Sequence, residues 1–133
     1  MKKVTPFLMF QEGKAEEAMN YYTSIIEDSG ISSITRYGAN EAGEEGTVVR
    51  ALFNLKGQEF MCIDSHVNHA FTFTPSISIF LTCESETEID TLYEKLLEDG
   101  QALMPLGDYG FSKKFGWLND RFGVSWQLDL PFN

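Results

Sequence analysis

The strongest constraint in this sequence is an internal repeat. Displacing residues 14–28 by 71 positions lays Glu17-Ala18 on Glu88-Ile89, Tyr22 on Tyr93, Ile25-Ile26 on Leu96-Leu97 and Glu27-Asp28 on Glu98-Asp99. Both segments carry apolar residues at helical spacing, Ala15, Ala18, Met19, Tyr22, Ile25 and Ile26 in the first and Ile89, Leu92, Tyr93, Leu96 and Leu97 in the second. Such a stripe faces a core while the acids take the other side. The first helix is expected over residues 14–28, with Gly30 as its stop. The second begins at Ser85, where Glu88 completes a capping-box pattern, and stops at Gly100.

The repeat extends beyond the helices. Each is preceded by an apolar strand, Val4 to Phe10 and Ser76 to Cys83, and followed by more strand-like runs. In the first half these are Ile31 to Tyr37, Thr47 to Leu55 and Gln58 to Asp64, with Gly57 turning the last two into a hairpin. The second half is compressed: about Ala102 to Leu106, Phe111 to Leu118 and Val124 to Leu130, with Asp120 and Gly123 shaping the final turn. Asn40 to Gly46, rich in acids and glycines, reads as a surface loop. Strand alternation places Ile77, Ile79 and Leu81 beneath a helix and the serines with Phe80 on the opposite face. That mixed polar and aromatic face suits a ligand cleft, and a solvated sheet surface has the same composition. The pattern predicts an α+β chain of two βαβββ modules, about residues 1–70 and 71–133, within one domain.

With 133 residues, 43% of them hydrophobic, the chain can bury one sizeable core. No run approaches the roughly 18 apolar residues of a membrane helix. Acids outnumber bases 20 to 10, and the net charge of −10 repels a phosphate backbone or an anionic membrane, so neither nucleic acid nor membrane is expected as a partner. Cys62 and Cys83, 21 residues apart in strand-like runs, form neither a CxxC pair nor a disulfide framework and read as reduced core thiols. Met1-Lys2-Lys3-Val4 runs straight into strand-like sequence without the apolar segment of a signal peptide, and a cytoplasmic location is expected.

Four phrases, TPFLMF (Thr5 to Phe10), AEEAMNYYTSIIEDS (Ala15 to Ser29), GQEFMCID (Gly57 to Asp64) and GWLNDRFGVSWQLDLP (Gly116 to Pro131), give the chain a family likeness. Together with the repeat it resembles the vicinal oxygen chelate superfamily of glyoxalase I, bleomycin-resistance proteins and extradiol dioxygenases, and within it the PhnB-like branch. The resemblance implies a curved mixed sheet around a cavity, helices on the outer face, and a homodimer whose modules complete each sheet. The branch also carries a demethylubiquinone methyltransferase label. A methyltransferase using S-adenosylmethionine normally needs a glycine-rich turn between a strand and a helix. This chain has no GxG among its eleven glycines, and the turn Gln11-Glu12-Gly13-Lys14 holds one glycine and an acid.

Metal-using members of the superfamily place His or Glu on the first and last strands of each module, and the resemblance puts these positions near Thr5 and Ser76 and at Met61 and Gln127. None is a strong ligand for Zn, Ni, Mn or Fe. No metal, cofactor or catalytic residue is therefore expected. His66 and His69 follow a strand and read as a structural or solvated pair; alternatively they line a cavity mouth and bind an anion when protonated. The ligand-binding set is expected to be Phe7, Met9, Arg50, Met61, Ser78, Phe80, Trp117 and Gln127, accompanied by Ser125, although Phe7, Met9 and Phe80 could equally be filling a barrel. Trp126 has the opposite parity and belongs to the core. Three functions stay open: a metal-independent small-molecule-binding protein; a glyoxalase- or dioxygenase-type enzyme whose metal is held by His66, His69, Asp64 and Glu59; and a structural or regulatory dimer without a cavity ligand.

Overall fold

A computed structural model describes all residues, Met1–Asn133, and divides them into two units, Met1–Ala70 and Phe71–Asn133. The first contains β1 (Phe7–Phe10), α1 (Ala15–Ile25), β2 (Ser29–Arg36), β3 (Val48–Leu55) and β4 (Gln58–Asp64). Its four-stranded sheet has the order β1-β4-β3-β2. β1 and β4 are parallel, and the other pairs are antiparallel. The helical crossover carries the chain from β1 to the far edge, and two hairpin-like returns bring it back to β4, which is why only that contact is parallel.

α1 buries Ala15, Ala18, Met19 and Tyr22. The sheet answers with Ala51, Phe53, Phe60 and Cys62, all buried. Phe53 and Phe60 stack at 5.2 Å, and Tyr22 lies 6.4 Å from Phe53. Each large apolar side chain removed from water contributes about 1.5–3 kcal/mol. Lys14 gives α1 no side-chain cap. Instead buried Asp64, at the end of β4, accepts the Ala15 N–H at 2.8 Å and the Val48 N–H at 2.8 Å, tying helix and sheet together.

The second unit contains β5 (Ile79–Thr82), α2 (Glu86–Leu97), β6 (Gln101–Gly107), β7 (Lys114–Asn119) and β8 (Ser125–Leu130). The strand order is β5-β8-β7-β6, with β5 parallel to β8 and the rest antiparallel. The expected cap is present: Ser85 Oγ accepts the Glu88 N–H at 3.1 Å, and Glu88 Oε1 accepts the Glu84 N–H at 2.8 Å. Ile89, Tyr93 and Leu96 are buried on α2, as are Leu118, Trp126 and Leu128 on the sheet. Close approach requires Gly116, since a Cβ there would sit 2.5 Å from Tyr93 Cε2. Buried Asp120 organises the last turn, its Oδ1 accepting the N–H groups of Phe122 (2.8 Å) and Val124 (3.0 Å) and its Oδ2 the Trp126 indole N–H (2.8 Å).

The repeat persists in backbone detail. The helices start at Ala15 and Glu86, 71 residues apart, and are followed by Asp28 and Asp99, both left-handed with φ of 53° and 57°. Helical geometry is lost before these aspartates and before Gly30 and Gly100, at the caps Ile26 and Glu98 with ψ of 124° and 122°, so α1 is shorter than the expected 14–28. Gly30 lies within β2, and Gly100 is required because a Cβ would come within 2.2 Å of the Asn119 carbonyl oxygen. The edge strands β1 and β5 are shorter than their apolar runs predict, whereas the opposite edges β2 and β6 are longer. Ile77, expected beneath a helix, precedes β5 and is 76% exposed. The chain turns over residues 75–77 before it enters β5, so Ile77 stays outside the sheet.

Asp120→Ala strands these donors in the interior and is expected to lower the unfolding free energy by about 3 kcal/mol in urea titrations. A change below about 0.5 kcal/mol would show that the turn does not depend on that carboxylate.

Candidate functional site

A helix covers one face of each sheet, and alternation delivers a second set of side chains to the opposite, open face. In the first unit, paired register aligns Phe7, Met61, Leu52 and Ser33 across β1, β4, β3 and β2. Met9 pairs with Ile63 in the next row, and Arg50 pairs with Thr35. Phe7 is 52% exposed, Met9 and Met61 are half-buried, and Arg50 is exposed. Lys3, Lys14, Arg36 and Lys56 each reach a carboxylate. Arg50 makes no hydrogen bond or ion pair despite the chain's acidic excess.

In the second unit the corresponding row is Phe80, Gln127, Trp117 and Met104, across β5, β8, β7 and β6. Beside it a neutral network forms. Trp117 Nε1 donates to Ser125 Oγ at 2.8 Å, the Ser125 and Ser78 hydroxyls are bonded at 2.6 Å, and Gln127 Nε2 donates to Ser78 Oγ at 3.2 Å. Ser125 is buried, Ser78, Trp117 and Gln127 are half-buried, and Phe80 is 55% exposed. Asn119, the register partner of Ser125, has a buried Oδ1 with no hydrogen-bond partner. An unpaired buried acceptor costs about 1–3 kcal/mol, a cost with no benefit to folding alone. Asp129, on the same face by alternation, is occupied by the Ser112 hydroxyl.

Thus the structure gathers the eight predicted ligand-binding residues as two sets, Phe7, Met9, Arg50 and Met61 on one sheet and Ser78, Phe80, Trp117 and Gln127 on the other. It corrects the register of the chelating positions. Thr5 and Ser76 lie outside β1 and β5, and Ser76 Oγ is bonded to Thr74 Oγ1 at 2.8 Å. The residues aligned with Met61 and Gln127 are Phe7 and Phe80, which offer a metal nothing. No group of three or more His, Cys, Asp or Glu is placed to hold an ion. The donors present do not fit a transition-metal ion.

The alternative ligand set is also not brought together. Both Asp64 oxygens accept backbone N–H groups, while Glu59, on the other face of β4, is held by Lys3 Nζ at 2.8 Å. His66 Nδ1 lies 3.4 Å from Tyr37 Oη, and His69 Nε2 lies 3.2 Å from Ser65 Oγ. Burial pushes the Cys62 thiol up to about 12, with Asp64 adding to the shift. Burial likewise raises Cys83 to about 12, assisted by Glu88 and Asp129. Neither is a nucleophile at neutral pH. The turn between β1 and α1 relies on left-handed Glu12 (φ 61°) and Gly13 (φ 70°), and Asp64 already fills the first N–H of the helix. A carboxylate therefore already stands at that helix N-terminus.

Two residues of the second face escape sequence reasoning. A register shift between Ala102 and Met104 defeats alternation in β6, and Asn119 sits where LNDRFG reads as turn, so only the pairing with Ser125 reveals its position.

The doubled module and its open sheet faces are the fold also found in a glyoxylase/bleomycin resistance protein/dioxygenase domain. The chain belongs to the 3-demethylubiquinone-9 3-methyltransferase family, which it matches over residues 2–129. The PhnB protein of Bacillus cereus, whose structure bears the same methyltransferase name, is 66% identical, with a TM-score of 0.94 over 97% of this chain and 99% of that one. A Pseudomonas aeruginosa protein is 24% identical, with a TM-score of 0.83 over 100% of both chains. A glyoxylase/bleomycin resistance protein/dioxygenase domain from Frankia shares the fold, with a TM-score of 0.67 at 18% identity over 99% of each chain. Comparison with curated proteins gives no match.

Because both thiols are held near 12, a disulfide reagent such as DTNB at pH 8 is expected to label Cys62 and Cys83 at least about 100-fold more slowly in the native protein than in denaturant. Equal rates would show the thiols to be accessible and ionised.

Proposed function

We propose that this chain is a metal-independent small-molecule-binding protein of the superfamily. The observation that supports this reading is the composition of the aligned positions: Phe7 beside Met61 and Phe80 beside Gln127, with no imidazole or carboxylate among them. Phe7, Met9 and Met61 supply apolar contact around the unpaired cation of Arg50, and Phe80 and Trp117 do so around Ser78 and Gln127. Apolar walls with a few placed polar groups are the ordinary composition of a ligand site. The methyltransferase name lacks a corresponding cofactor turn in this chain.

A homodimer in the cytoplasm completes the proposal. With β1 and β2 at the edges of one sheet and β5 and β6 at the edges of the other, unpaired strand edges support association. No helix is long and apolar enough to cross a membrane, and the net charge of −10 disfavours nucleic acid and anionic lipid.

A thermal-shift screen of thiols, phosphonates and aromatic antibiotics, with divalent metals in parallel, tests this reading. An organic ligand at 100 times its Kd adds about 2.7 kcal/mol of stability. Phe80→Ala or Arg50→Ala, depending on the face engaged, should weaken it about tenfold. Stabilisation by metals alone, or organic binding indifferent to both substitutions, would contradict the proposal.

A further inference from the structure

The second open face carries no formal charge in its hydrogen-bonding network, and its donors and acceptors can be counted. The Trp117 indole N–H ends on Ser125 Oγ, one Gln127 amide proton ends on Ser78 Oγ, and the two hydroxyls share one proton between them. Whichever serine donates, one hydroxyl proton remains, together with the second Gln127 amide proton and two acceptors, Gln127 Oε1 and the buried Asn119 Oδ1 beside Ser125. The nearest acid by register, Asp129, is engaged by Ser112. Exposed Phe80 adjoins Gln127 on the neighbouring strand and offers a flat apolar surface.

This remainder is a mixture of donors and acceptors on half-buried side chains, and it discriminates by charge. A carboxylate can take the hydroxyl and amide protons but confronts Oε1 with a second acceptor. An ammonium or amidinium satisfies Oε1 but leaves the protons facing a donor. In a partly desolvated site such mismatches cost more than in water. A group with an N–H beside a C=O satisfies both.

We propose that Ser78, Ser125, Trp117 and Gln127 form a subsite for an uncharged carboxamide-type group attached to a flat apolar body, with Gln127 as the specificity-determining residue. This inference rests on the proposed ligand-binding function and names the ligand's chemical class. A glutamate at position 127 would convert the acceptor–donor pair into an anion and turn the preference towards cations.

The probes are benzamide, benzoate and benzamidine, which share a ring and differ in the charge of the attached group. Binding is read from the Trp117 indole N–H and Gln127 side-chain amide signals in nitrogen–proton spectra, assigned with Trp117→Phe. Benzamide is expected to bind at least about tenfold more tightly than either charged probe. In Gln127→Glu the order should change so that benzamidine exceeds benzamide, while the buried Trp126 indole signal stays in place and reports an intact fold. Benzoate or benzamidine binding as well as benzamide, an unchanged order in Gln127→Glu, or no response to any probe at about 10 mM overturns the inference. Failure of the underlying reading is distinct: stoichiometric Zn2+ moving the same signals in the unaltered protein would contradict metal-independence whatever the order of the organic probes.

Discussion

One helix can seal only one face of a four-stranded sheet, and this limit organises each half of the chain. The sealed face consumes the large apolar residues, with Tyr22, Phe53 and Phe60 in one unit and Tyr93, Leu118 and Trp126 in the other. Because side chains alternate, every strand residue between these must appear on the opposite face. Those positions need not satisfy the core's packing demands, and they hold the side chains whose identity differs most from a uniform apolar surface: Arg50, Ser78, Trp117 and Gln127. The separation of packing from chemistry is therefore a consequence of strand geometry.

Two buried aspartates make that arrangement rigid in different ways. Asp64 joins the start of α1 to the start of β3, so the first helix is fixed to its sheet through a carboxylate instead of a local cap. Asp120 closes the β7–β8 turn and holds the Trp126 indole, which fixes the register by which Gln127 stands beside Phe80 and Trp117. The position of the polar network on the open face thus depends on a hydrogen-bonded turn several residues away.

Much of the fold was legible because its signals are local. Helical stripes, the Ser85 cap, the glycines at 57 and 123, and the repeat at 71 residues all act over short distances. Strand β4 has the bounds its apolar run indicated, Gln58–Asp64. What escaped was set by partners distant in sequence. Ile77 continues an apolar alternation, yet β5 pairs with β8 only from Ile79 onward. Thr5 and Ser76 look like inward positions until cross-strand register replaces them with Phe7 and Phe80. Gly100 looks like a helix stop, yet a contact with the Asn119 carbonyl explains it. On the candidate site, parity placed Gln127, Ser125 and Trp117 together, while the bulge in β6 concealed Met104 and turn-like sequence concealed Asn119.

Chemically, the aligned positions of the two open faces carry thioether, aromatic and amide groups. Neutral amides and hydroxyls recognise organic molecules well and hard or borderline cations poorly, and the proposed function is accordingly binding without a resident ion. Elemental analysis by mass spectrometry of protein purified without chelators tests this most directly. The account predicts transition metal far below one ion per chain, unchanged after incubation with Zn2+, Ni2+, Mn2+ or Fe2+ and gel filtration; about one retained ion per chain would contradict it.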